Sequence, residues 1–245
     1  MEIVELRPNL YRMQAGFAPL YLWRDGDAVT LIDTGTAGSG PAIEAALGEL
    51  GLARSAVERI VITHGHEDHD GSAAEVRAWH GAPVLVHEAD AAFVTGEARH
   101  PEPVLTDFDA PVWERMTEAR TSIPPNPPST VDVRLTGGEE LDFGGGARII
   151  AVPGHTAGSI AVYLPAHRVL FTGDTIAATS DGEVILGVFN QDEDAMLAAF
   201  RQLAALDVET VCFGHGDPVV TGAGTALREA VANHRPRARP PGRYS

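Results

Sequence analysis

Five short apolar runs in this chain each stop at a histidine or an aspartate. VTLI runs into Asp33, ERIVIT into the loop that opens at His64, ARIIAVPG into His155, RVLFTG into Asp174, and TVCFG into His215. One strand that ends on a polar side chain is ordinary. Five of them describe the rim of a sheet, which is where open α/β sheets place ligands. The chain is therefore constrained to a fold that gathers distant strand ends along one edge.

The richest of these loops is THGHEDHDG, Thr63 to Gly71. It carries His64, His66, Asp68 and His69. Imidazole and carboxylate together suit a borderline divalent ion such as Zn²⁺, and the two-residue step from His64 to His66 lets both reach one ion from a loop. Asp68 and His69 then point elsewhere, so one loop can feed two adjacent metal sites. The plainer alternative is a His-rich surface loop. A strand-like run before it and partners downstream argue against that.

Asp33 in LIDTG, the HxHxDH loop, His155 in PGHTAGS, Asp174 in TGDT and His215 in GHG together resemble the metallo-β-lactamase superfamily, in the family's order and over nearly the whole chain. The resemblance implies an α/β (α+β) fold, a four-layer αββα sandwich of two mixed β-sheets flanked by helices, with a dinuclear metal site between the sheets. It also implies ligand roles. His64, His66 and His155 would hold the first metal, Asp68, His69 and His215 the second, and Asp174 would bridge both. The ligand set is like that of the glyoxalase II group. The cofactor is expected to be two Zn²⁺, and iron or manganese would suit the same donors.

Two such ions can share a hydroxide that is nucleophilic at neutral pH. The implied activity is hydrolysis of a small ester, thioester, lactone or related molecule. Catalytic roles fall to Asp68, which orients the hydroxide, to Asp174, and to Asp33, which reads as a hydrogen-bond partner that holds a ligating imidazole. Thr156 and Ser159 are expected to tie the loop after His155 back to itself. The alternative reading is an oxidoreductase like the mononuclear iron persulfide dioxygenases, and a less favoured one is a non-catalytic metal-binding module.

Departures from particular branches of the family narrow the choice. Ala177 stands where the acyl-homoserine lactonases carry a Tyr, three positions after Asp174. Secreted β-lactamases of this type generally lack the bridging Asp. Flavodiiron proteins have Glu where this chain has His66. The glyoxalase II group adds a helical C-terminal region, whereas a short helix and tail follow His215 here.

At 245 residues the chain is long enough for one large core, and a single domain over residues 1–235 is expected. A net charge of −16 argues against nucleic acid as a partner. No run of about 18 apolar residues exists to cross a membrane. Cys212 is the only cysteine, so no internal disulfide can form, and it reads as a buried small hydrophobe. With no export signal apparent, a cytoplasmic location is expected. The partner is a small-molecule substrate, and nothing in the sequence decides between a monomer and a homo-oligomer.

Local patterning fills in the rest. LYLW and DAVTLID pair as a hairpin about Asp25-Gly26-Asp27. Helices are expected over Gly38–Leu50, near Ser72–His80, over Asp194–Leu206 with Asn190 or Asp192 as its cap, and over Thr225–His234. Strands are expected at APVLVHE, Gly137–Asp142, Ala147–Val152, Ile160–Leu164 and Arg168–Phe171. Residues 97–130 break the rhythm, with many prolines and one short helix near Val112–Ala119. A loop this long reads as a cap over the metal rim, the alternative being a peripheral elaboration packed on the outside, with Phe108, Trp113 and Met116 either facing a substrate or gluing the segment down. The last residues, 236–245, read as a flexible basic tail. His80, His87, His100, His167 and His234 read as surface or helix-end residues, with His100 the candidate for a substrate role.

Overall fold

Why the chain forms two layers of sheet follows from alternation along its strands. In the computed structural model, which describes residues 3–120 and 126–238, successive side chains of a strand enter different cores. Leu20 and Leu22 face one way, Tyr21 and Trp23 the other. Ile60 and Ile62 oppose Val61, and Ala161 and Tyr163 oppose Ile160, Val162 and Leu164. A period of two with both faces apolar requires a cover on each side.

The first sheet contains β1 (Ile3–Arg7), β2 (Leu10–Ala15), β3 (Ala18–Asp25), β4 (Ala28–Ile32), β5 (Val57–Val61), β6 (Val84–His87) and β7 (Val133–Leu135), side by side in chain order. Pairing is antiparallel through β4 and parallel from β4 to β7. The parallel steps need crossovers, which carry α1 (Gly40–Glu49), α2 (Ala73–Arg77), α3 (Ala91–Val94) and α4 (Ala110–Arg120). Ile43, Ala46 and Leu47 of α1 and Val76 of α2 bury against the outer face.

The second sheet contains β8 (Glu140–Leu141), β9 (Ala147–Ala151), β10 (Ile160–Leu164) and β11 (Val169–Phe171). A hairpin of β12 (Ile176–Ala178) and β13 (Val184–Leu186) then leads to α5 (Glu193–Ala204), β14 (Thr210–Cys212) and α6 (Ala223–Asn233). The strand order is β14-β11-β10-β9-β8, with β14 parallel to β11. Met196, Phe200 and Leu203 of α5 and Leu227 of α6 cover its outer face. Asp192 caps α5 by accepting from the Ala195 amide at 3.0 Å, an arrangement worth about 1 kcal/mol.

Between the sheets lies a third apolar layer with Trp23, Phe143, Ile160, Leu164 and Phe171. Tyr21 crosses it and donates to the Phe213 carbonyl at 2.8 Å. The architecture is the αββα sandwich expected from the sequence. No helix among the described residues is long and apolar enough to cross a membrane.

Two local expectations need correction. The strand expected over Gly137–Asp142 shrinks to two residues, because Gly137 and Gly138 sit at φ +91° and +102° and bend the chain. The tail expected to hang free from residue 236 begins by docking. Arg237 donates to the Leu186 and Gly187 carbonyls at 2.7 and 2.9 Å and lies over the Phe108 ring, 4.4 Å from its centroid. Residues 239–245 of that tail, and 121–125 of the long inserted segment, lie outside the described residues.

Candidate metal centre

The rim of the two sheets brings together all seven side chains that the sequence marked as ligands. Among the described residues, three groups have donor atoms mutually within 4.8 Å: His64, His66 and His155; His64, His69 and Asp174; and Asp68, His69 and His215. His64 leaves the end of β5, and a turn closed by the His69 and Asp70 amides on the His66 carbonyl (2.9 and 3.0 Å) folds the loop onto itself. Asp174 stands at the hub. Its Oδ1 lies 3.3 Å from His69 Nε2, and its Oδ2 lies 3.2 Å from His215 Nε2, 3.5 Å from His155 Nε2 and 3.9 Å from His64 Nε2. Asp68 Oδ2 is 3.3 Å from His215 Nε2.

Partners on the far side of two of the rings set their tautomers. His69 donates its Nδ1 proton to Asp33 Oδ2 at 2.9 Å. His155 Nδ1 faces the Val188 carbonyl at 3.1 Å, so its Nε2 presents a lone pair toward His66 Nδ1, 2.9 Å away. At that separation a proton or a cation between the two nitrogens holds them together. The buried Nε2 atoms of His64 and His69 and Asp174 Oδ1 have no hydrogen-bond partner among the described residues. Buried, inward-facing imidazole nitrogens and a carboxylate oxygen without partners fit a cation, and the mixed imidazole and carboxylate set fits zinc or iron.

Charge follows the same division. Burial holds His64 and His66 well below the ordinary histidine range and His155 below it, so these imidazoles are neutral donors. Burial opposes the charge on Asp174 and Asp68 as well, but the facing His215 and His69 outweigh it and keep both carboxyls ionised. Burial also works against charge on His69 and His215. Asp174 overrides it, keeping His69 well above the ordinary range and pushing His215 up to about 10.

Asp33 sits at φ +64°, a left-handed backbone that non-glycine residues seldom adopt. Its carboxylate accepts from the Thr63 amide at 2.7 Å and the Thr63 hydroxyl at 2.9 Å, besides His69. Thr156 and Ser159 close the loop after His155, with hydroxyls 2.8 Å apart and the Thr156 amide donating to Ser159 Oγ at 3.0 Å. Gly214 leaves no room for a side chain: a Cβ there would collide with Asp174 Oδ1 and stand 3.0 Å from His69 Cε1.

One functional residue escaped the sequence. Asp90, fully buried just after β6, accepts from the Gly65 amide at 2.9 Å, the Gly158 amide at 2.9 Å and the Thr156 hydroxyl at 2.8 Å. It locks the loop bearing His64 and His66 to the loop bearing His155. The signal was present, since Asp90 is another acid just beyond a strand end, but its partners are mostly backbone amides, which carry no sequence mark.

A cavity of about 980 Å³ opens in front of these ligands, and His66, Asp68, His155, Asp174 and His215 form its floor. The inserted segment walls it with Trp113, Met116 and Pro128. Asn126 also donates to Asp70 beside the metal loop. Of the two roles expected for Phe108 the structure takes the second: it is 52% exposed and packs against Arg237, away from the cavity. His100 lines the cavity, its Nε2 donating to the Gly65 carbonyl at 2.7 Å and its ring stacked on Phe93.

Known proteins resemble this chain. A hydroxyacylglutathione hydrolase of Halorhodospira halophila is 34% identical over 208 residues, 82% of this chain and 63% of its own length. The chain spans 48% of the length of the hydroxyacylglutathione hydrolases matched in Cereibacter sphaeroides, so it covers about half to under two-thirds of these relatives. The crystal structure of a metallo-beta-lactamase family protein from Thermus thermophilus superposes with a TM-score of 0.68 at 26% identity, over 94% of this chain and 80% of that one. TTHA1623 in a di-iron-bound form superposes with a TM-score of 0.66 at 26% identity, over 89% of this chain and 97% of that one. Residues 14–215 match the metallo-beta-lactamase superfamily, and with its seven donors gathered at the rim of an αββα sandwich, the chain belongs to that family.

Proposed function

We propose that this protein is a metal-dependent hydrolase with a dinuclear centre, zinc by preference, that cleaves a small ester or thioester. The observation that carries the reading is Asp174, a single carboxylate within 3.9 Å of imidazoles from both trios, surrounded by buried nitrogens that lack partners. His64, His66 and His155 would hold one ion, Asp68, His69 and His215 the other, with Asp174 shared. When bound, the ions supply Lewis-acid polarisation of the substrate carbonyl and a water acidic enough to attack at neutral pH.

The chain's own groups do the rest. Asp33 Oδ2 keeps the proton of His69 on Nδ1, and the Val188 carbonyl does the same for His155. Asp68, half-buried at the cavity floor, orients the attacking water and takes its proton on a carboxylate oxygen, to be passed to the departing alcohol or thiol. The relatives named as hydroxyacylglutathione hydrolases support thioester chemistry. The di-iron-bound relative keeps iron open as the native metal.

The test is elemental analysis of protein purified without added metal, followed by assay against chromogenic esters, thioesters and lactones. The expected result is close to two equivalents of metal per chain, with turnover. His66→Ala is expected to lose metal and turnover while keeping the fold by circular dichroism. Full metal content and turnover in that variant would remove the proposal. One iron per chain with sulfite production would replace it by the dioxygenase alternative.

A further inference from the structure

The cavity is large and its walls are aromatic and apolar. About 980 Å³ is near the upper end for small-molecule sites. Trp113 of α4 and Phe189, from the loop before α5, form one wall with ring centroids 5.0 Å apart. Phe93, Met116 and Val188 continue it. Phe17, 48% exposed, stands at the mouth on the turn between β2 and β3.

Phe189 is the telling residue. Its backbone sits at φ +60°, a conformation bulky side chains avoid and proteins retain chiefly at functional sites. Buried Asp109 secures it, accepting from the Phe189 amide at 3.3 Å. The fold thus tolerates an unfavourable backbone that aims a phenyl ring into the cavity. Formal charge is distributed unevenly. Among the described residues, the lining has Arg99 as its one Arg or Lys side chain, against Glu67 and Glu102 in addition to the carboxylates of the metal centre.

Resting on the hydrolase reading above, the geometry points to a neutral ester or thioester with a long or aromatic acyl chain as the substrate, the acyl group lying on Trp113 and Phe189. An S-acylglutathione fits less well. Its peptide carries two carboxylates and one ammonium, a net negative charge, into a mouth whose described residues offer Arg99 as the one Arg or Lys for pairing a carboxylate, and an unpaired buried charge is costly. In the reaction, water forms a new bond to the acyl carbon, the acyl C–O or C–S bond breaks, and the alcohol or thiol leaves with a proton.

The experiment compares kcat/KM of the metal-loaded protein across acetyl, butyryl, octanoyl and decanoyl chains. Three series separate the sources: p-nitrophenyl esters, N-acetylcysteamine thioesters, and glutathione thioesters. Burying each added methylene should raise kcat/KM about fourfold until the cavity fills. The expected result is at least a hundredfold rise from acetyl to decanoyl, with the cysteamine thioester at least tenfold ahead of the glutathione thioester of the same chain. Trp113→Ala should cut the decanoyl-to-acetyl ratio at least tenfold.

Calorimetry of the unmodified protein gives a second readout: N-acetyl-S-decylcysteamine should bind at least tenfold more tightly than S-decylglutathione. Turnover with a flat chain-length profile, or with glutathione preferred in rate or binding, overturns this inference and leaves the hydrolase reading standing. No cleavage of any ester or thioester by protein carrying two metals overturns both.

Discussion

Asp33 and Asp174 both follow an apolar strand and both contact His69, yet they differ in what they touch. Asp33 directs its carboxylate to Thr63 and to the outer nitrogen of His69. Asp174 faces the inner nitrogens of His64, His69, His155 and His215. Asp33→Ala is therefore expected to weaken metal affinity about 10- to 100-fold, as loss of a partner behind a ligand does. Asp174→Ala is expected to lose at least one metal equivalent outright. Competitive chelator titration with elemental analysis distinguishes these outcomes, and equal losses would mean that Asp33 touches the metal. The residues of the candidate centre were legible as a group because His64, His66, Asp68 and His69 crowd into one loop and the others follow short strands. Whether Phe108 faces a substrate or glues the segment down was not legible, because composition says that an aromatic residue in a cap is apolar, but not which way it points. Cys212 was read correctly for a physical reason: it lies within an apolar run, and burial pushes its thiol well above the usual range, so it is inert at neutral pH.

Between elements, two carboxylates bind segments that propensity alone would leave independent. Asp90 joins the β5–α2 loop to the β9–β10 loop through two amides and a hydroxyl. Asp90→Ala strands those buried donors, at about 1–3 kcal/mol each. A fall in Tm of several degrees is expected together with weaker metal binding. Thermal denaturation of the protein with and without metal checks both, and an unchanged metal affinity would reduce Asp90 to a stability role. Asp132 receives two bonds from Arg77 of α2 at 2.8 Å and one from the Val84 amide of β6 at 2.9 Å. The Arg77 guanidinium holds its carboxyl below the usual range. With the folded value depressed, its stabilising effect is complete above the unfolded value of about 3.9 and fades as pH falls through the folded one. The difference in urea midpoint between the protein and Asp132→Asn should thus be present at pH 7 and shrink toward pH 3. Helices α1 and α5 were legible to within two residues because one face is apolar and, for α5, Asp192 caps it. β8 was not, because paired glycines interrupt a run that reads as a strand.

At the scale of the molecule, the metal centre sits where two separately covered sheets meet. Each half contributes donors, so ion binding spans the apolar layer that joins them. An ion bound a thousandfold above its dissociation constant adds about 4 kcal/mol. Removing metal with a chelator should lower Tm by roughly 10 °C, reversed by re-addition; calorimetry measures it, and an unchanged Tm would mean that the site is loose. The four-layer arrangement was legible through the resemblance of the ordered motifs to the metallo-β-lactamase superfamily. How residues 97–130 lie over the cavity was not, since a proline-rich excursion carries no periodicity to say which surface it covers.

The second trio is completed by His215, which follows β14, the strand laid at the edge of its sheet beside β11. A ribosome therefore delivers the donors in sequence and releases the last one late. A nascent polypeptide stalled before β14 holds the first trio and the shared carboxylate but lacks the residue that closes the other half. Such a fragment is expected to retain one ion where the finished protein retains two, a difference that equilibrium dialysis of truncated chains would register.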